Sequence, residues 1–112
     1  MAIAGIFNVP GTPEEFSQWS FDNAAHHVDI NRVIFQISGI NIASFVLDPM
    51  PLNDIGAWLY QHQQMHTTTN GILSVSGFDL TDVDFRDKGQ LAGWIQMHAN
   101  EHFQWANQLL IA

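Results

Sequence analysis

The sequence predicts an all-α fold, a three-helix bundle with an apolar N-terminal arm and two long connecting loops. Three observations predict it. Apolar side chains recur at three- and four-residue steps in three separate stretches. Capping chemistry stands at the start of these stretches, and Gly follows two of them. The segments between them are punctuated by Pro, Gly and Asp. With 112 residues there is room for one core, divided into an arm (1–11) and a helical domain (12–112).

The arm carries Ile3, Ile6, Phe7 and Val9 and is broken by Gly5, Pro10 and Gly11, too short and interrupted for a helix. Its apolar residues must be buried against the bundle or against a neighbour. The first helix opens on Thr12-Pro13-Glu14-Glu15, a capping box with Pro at the first helical position and acids at the positive end of the dipole. Its stripe runs Phe16, Trp19, Asn23, His26/His27, Ile30, Val33/Ile34 and Ile37, and Gly39 ends it. Residues 40–52 read as an extended crossing held by Pro49 and Pro51. Asn53 or Asp54 caps a second helix with the stripe Ile55, Trp58/Leu59, His62 and Met65/His66. Thr67 to Thr69 and then Asn70-Gly71 are expected to end it. Residues 72–87 read as a connecting loop that buries aromatics. Their aspartates lack the Gly and Glu positions of a calcium-binding EF-hand. The third helix starts near Asp87, with the stripe Leu91, Trp94/Ile95, His98, Glu101/His102, Trp105 and Leu109.

Charge narrows the function. Three Lys plus Arg against eleven Asp plus Glu give a net charge of −8, which argues against nucleic acid as a partner. No apolar run approaches the roughly 18 residues of a membrane span. The N-terminus lacks the basic residues of a secretory signal, and there is no Cys. Charged residues make up only 12%, while amides are abundant, with nine Gln and eight Asn. A surface poor in charge and rich in amides and aromatics is what an assembly interface looks like. The expected contact residues are Ile3, Ile6, Phe7, Val9, Phe45 and Phe103.

All six histidines fall near the middles of the three helices. His62/His66 and His98/His102 are four apart, so each pair shares a face, and Glu101 lies beside the second pair. Running up, down and up, the helices would bring these midpoints into one layer. Beside placement at the surface or an interface, two readings remain for His26, His27, His62, His66, His98, Glu101 and His102. In the first they form a polar core layer with no cofactor, satisfied by Asn23, Asp29, Gln61, Asn100 and Glu101. In the second they hold a metal. His98-Ala-Asn-Glu-His102 spells the H-x-x-E-H of inverted zinc peptidases, but so short a chain offers little cleft around it. A di-iron bundle site would need more glutamates than Glu101 alone, so a simple structural zinc is the surviving form. There is no phosphate-binding Gly loop, no Cys nucleophile and no serine elbow. Asp29 and Arg32 read as a surface ion pair.

Asn8-Val9-Pro10-Gly11-Thr12-Pro13-Glu14-Glu15, Trp19-Ser20-Phe21 with His26-His27, Leu47-Asp48-Pro49, Trp58-Leu59 with His62 and His66, Asp82-Val83-Asp84, and Trp94 through Glu101-His102 together span nearly the whole chain. In these the chain resembles small proteins encoded in the structural modules of tailed bacteriophages. The resemblance implies a virion role and transfers no catalytic or ligand residues. The expectation is a non-enzymatic structural subunit of a multi-copy assembly: a capsid decoration, neck or tail component assembled in the host cytoplasm. Its partners would be copies of itself and other virion proteins, with no small-molecule substrate. The alternative is a metal-binding helical bundle, possibly catalytic. A small acidic mimic of a basic host protein's ligand is the third option, weakened because the acids are scattered.

Overall fold

The structure is a computed structural model and describes residues 2–41 and 55–111. Among these residues are one short helical turn, α1 (Ala2–Gly5), and three long helices, α2 (Pro13–Ser38), α3 (Ile55–Leu73) and α4 (Lys88–Leu109). The fold is all-α with three principal helices. Phe45, the crossing beyond residue 41, and the Asn53/Asp54 cap lie outside the described residues, as does the Ile3 side chain.

Local chemistry sets most boundaries. Thr12 Oγ1 accepts from the Glu15 amide at 3.1 Å, and Glu15 Oε2 in turn accepts from the Gly11 amide at 3.0 Å. Gly39 closes α2 at φ 74°, the left-handed conformation a glycine takes without strain, and its N–H bonds to the Phe35 carbonyl. Asp87 caps α4 by accepting from the Gly89 and Gln90 amides.

Two expectations about elements are corrected. The arm does form one helical turn, because tertiary contact fixes it. Ile6 is fully buried, and the Trp19 indole donates to the Ile6 carbonyl at 3.2 Å. α3 does not end at the threonines but continues through Asn70-Gly71 to Leu73, with Ile72 in its last turn. Thr69 Oγ1 bonds back to the Met65 carbonyl, and the Asn70 side chain is held from α4, so long-range partners override weak helix propensity.

The helices also do not alternate in direction. Trp19 at the start of α2 lies beside Trp58 at the start of α3 and Trp94 at the start of α4. At the other end Ile34 shares a cluster with Leu73 and Leu109, and Gln108 donates to the Leu73 carbonyl. All three helices therefore run the same way. The loop 74–87 runs back along the bundle, from Val75 in the Ile30/Ile34/Trp105 cluster to Phe85, which packs against Phe16 and Trp94. In this loop Leu80 is the buried residue, and its carbonyl accepts the Trp94 indole N–H at 2.7 Å. Phe78, expected inside, is largely exposed.

The molecule is 39 Å long, the length of α2 at 1.5 Å per residue. Its core has two apolar parts: the Trp19/Trp58/Trp94 end with Ile6, Leu59 and Leu91, and the Ile30/Ile34/Trp105 end. Between them lies a layer of imidazoles. No helix among the described residues is long and apolar enough to cross a membrane.

Candidate metal centre

Parallel helices put equivalent positions at the same level, and the three helices carry one spacing in common. Trp19, Asn23 and His27 on α2, Trp58, His62 and His66 on α3, and Trp94, His98 and His102 on α4 are each four residues apart. A four-residue step keeps each set on one helical face. The indole at the first position covers the imidazole one turn later. Trp58 stacks on His62 at 4.3 Å and 13°, and Trp94 stacks on His98 at 4.8 Å and 13°. Trp105 closes the far side, 4.6 Å from His66 and 4.7 Å from His102.

All six histidines are buried, none more than 3% exposed. They mostly meet one another. His62 Nε2 lies 3.0 Å from His98 Nε2 and 2.9 Å from His66 Nε2, and His26 Nδ1 lies 2.6 Å from His102 Nδ1. Five of them, His27, His62, His66, His98 and His102, offer one ring nitrogen each, all within 4.8 Å of one another. The polar partners the sequence offered do not satisfy them. Gln61 and Asn100 point to solvent, and Asp29 pairs with Arg32 at 3.6 Å, the expected surface ion pair. Asn23 Oδ1, both nitrogens of His27, His26 Nε2, His66 Nδ1, His98 Nδ1 and His102 Nε2 are buried without a hydrogen-bond partner among the described residues. The imidazole layer is therefore present, and the described residues do not by themselves satisfy it.

Burial sets the electrostatics. Desolvation holds His62 at about 3 and pushes His27, His66, His98 and His102 well below the ordinary imidazole value, with neighbouring imidazoles adding to the shift. His26 is also lowered by burial, opposed by Asp29. At neutral pH the layer is a set of uncharged rings, the form in which imidazole binds a metal.

Glu101 sits at the edge of the layer, fully buried. Burial raises its pKa, while hydrogen bonds from Asn70 and from the Phe78 backbone oppose the rise. Asn70 Nδ2 donates to Glu101 Oε1 at 2.6 Å, and Asn70 Oδ1 accepts from the Trp105 indole at 2.8 Å. Gly77 crosses so closely that a Cβ there would come within 2.2 Å of Asn70 Nδ2 and 2.9 Å of Glu101 Oε1. Asn70 and Gly77 did not stand out in the sequence. The signal was that Asn70 lies one turn beyond His66 on the same face.

Of the expected contact residues, Phe7, Val9 and Phe103 are exposed. Ile6 is corrected: it lies inside the chain's own core, because the Trp19 indole holds its backbone there.

No protein-family model matches the chain. No solved structure matches it either. A leucine–tRNA ligase of Buchnera aphidicola subsp. Schizaphis graminum is 32% identical over 78 residues, covering 70% of this chain. The chain spans 9% of that ligase's length, too small a part to bring its activity across.

Proposed function

We propose that the chain is a non-enzymatic metal-binding helical bundle whose imidazole layer holds one divalent d-block ion. The observation that carries this reading is the position of His62 Nε2, in contact with two other Nε2 atoms at once. A ring nitrogen has one in-plane site, filled by either a proton or a lone pair. One of the two contacts can be a hydrogen bond, and the other cannot. Three nitrogens converging on a common point are explained by a shared cation. Donors about 2.0–2.1 Å from a tetrahedral zinc lie roughly 3.3–3.4 Å apart, so ring nitrogens now 2.9 and 3.0 Å apart need to part by only a few tenths of an ångström.

Neutral nitrogen donors suit zinc and its d-block neighbours, whereas magnesium and calcium prefer oxygen. A single ion fits the charge, since among the described residues Glu101 is the one carboxylate buried beside the layer. Among the described residues the tryptophan walls and the burial of every ring leave a substrate no open approach, which supports a structural role for the ion rather than catalysis. Metal analysis of protein purified without an affinity tag is expected to give about one ion per chain, lost in His98→Ala. A folded protein that carries no metal and takes up no added zinc would refute the reading.

A second reading has its own observation. Phe21, Val28 and Phe35, seven residues apart on α2, and Tyr60 and Phe103 elsewhere, are all about half exposed or more. Side chains of this kind at a surface depleted of charge support a structural subunit of a multi-copy assembly, and the resemblance above supports a tailed-phage virion as that assembly. The two readings are compatible. Light scattering on the purified protein tests the second, and a monomer at every concentration counts against it.

A further inference from the structure

We infer that Glu101 is the positioning residue of the metal centre: its Oε2 accepts the Nδ1 proton of His66, and so turns His66 Nε2 toward the ion. The inference rests on the metal reading. Metal-ligating histidines commonly donate their second N–H to a carboxylate, which fixes both tautomer and ring orientation.

Here His66 Nδ1 and Glu101 Oε2 face each other at 3.7 Å, both fully buried, and neither has another hydrogen-bond partner among the described residues. The other nitrogen of the same ring, Nε2, is the one in contact with His62 Nε2. The ring is thus aimed with one nitrogen at the centre and the other at the carboxylate. The remaining gap is just beyond hydrogen-bond length, and a small rotation of the ring as Nε2 takes the ion closes it.

The carboxylate is fixed from behind. Oε1 accepts from Asn70, whose own oxygen is held by Trp105, and the backbone of Gly77 closes over both. Both oxygens of residue 101 therefore have to accept. A carboxylate can do this, and an amide of the same shape cannot. In Glu101→Gln, an oxygen placed against Asn70 turns the NH2 toward His66. Nδ1 must then accept, the proton moves to Nε2, and that nitrogen is lost as a ligand.

Zinc chloride titrated into the full chain is expected to bind Glu101→Gln 10–100-fold more weakly than wild type, with the helical circular dichroism spectrum unchanged. Long-range 1H–15N spectra of the zinc-loaded wild type are expected to show His66 protonated at Nδ1 and ligated through Nε2. This second measurement needs no variant, so it decides the matter even if Glu101→Gln does not fold. Wild-type affinity in a folded Glu101→Gln, or ligation of His66 through Nδ1, overturns the inference while leaving the metal reading intact. A wild-type chain that takes up no zinc overturns both.

Discussion

The aliphatic end of the bundle and the imidazole layer are adjacent in the same core, yet they are built on opposite terms. Around Ile30, Ile34 and Trp105 the packing is mostly apolar: the Trp105 N–H has its partner in Asn70, and the buried Asn31 amide beside Ile30 is the exception. One turn away the layer holds six imidazoles, most with a nitrogen that nothing among the described residues satisfies. A buried polar group left unpaired costs about 1–3 kcal/mol. The aliphatic end thus carries a single unpaired amide, whereas the layer is costly unless something beyond the described residues completes it. The difference teaches that this protein's stability and its function are held at different levels of one bundle.

Acid should separate the two levels most strongly. In the fold the buried imidazoles sit well below their ordinary value, His62 at about 3, while in the unfolded chain they titrate near 6.5. Between those values the unfolded state binds more protons, so stability is full above about pH 6.5 and falls as the pH drops below it. Each such histidine contributes about 1.4 kcal/mol per pH unit, and His27, His62, His66, His98 and His102 together give about 7 kcal/mol per unit. That is comparable to the whole stability of a typical domain. Urea titrations of metal-free protein are expected to lose most of their midpoint between pH 6.5 and 5. A flat stability profile across that range would mean the rings are not buried and neutral.

Next in size is a change at the other level. Ile34→Ala removes a fully buried side chain from the aliphatic end and should cost about 2–5 kcal/mol. Its zinc stoichiometry and the acid midpoint shape should be those of wild type, because the imidazole layer is untouched. If Ile34→Ala instead abolishes zinc uptake in a folded protein, the two levels are one cooperative unit and the contrast between them fails.

How much of this was legible in the sequence follows from where the deciding contacts lie. α2 and α4 could be bounded because Thr12, Gly39 and Asp87 act on amides and carbonyls within four residues of themselves. The end of α3 could not, since Asn70 is held by Glu101 and Trp105, more than thirty residues away. The shared face of each histidine pair was readable from spacing. The convergence of their rings was not, because it depends on how each helix is rotated toward its neighbours. The common direction of the helices had a signal in the links. Fourteen residues from 74 to 87 can span about 45 Å when extended, enough to return along a helix of α3's length. The matching Trp-His-His spacing of α3 and α4 pointed the same way.

The smallest expected effect sharpens the contrast from the tryptophan end. Asp87 accepts from two amides of the first turn of α4, so Asp87→Ala should cost about 1 kcal/mol. Two neighbours limit the damage to that turn. Gln90 Oε1 accepts from the Asp84 amide, and the Trp94 indole is tied to the Leu80 carbonyl. His98 lies eleven residues farther along, about 16 Å up the helix, beyond the reach of a frayed first turn. Zinc affinity in Asp87→Ala should therefore equal that of wild type, while the urea midpoint drops slightly. Were the affinity to fall with the cap, the rings would owe their convergence to the helix ends rather than to the tryptophans stacked beside them. The stacking of Trp58 on His62 and Trp94 on His98, within a single turn of each ligand, argues for the local hold.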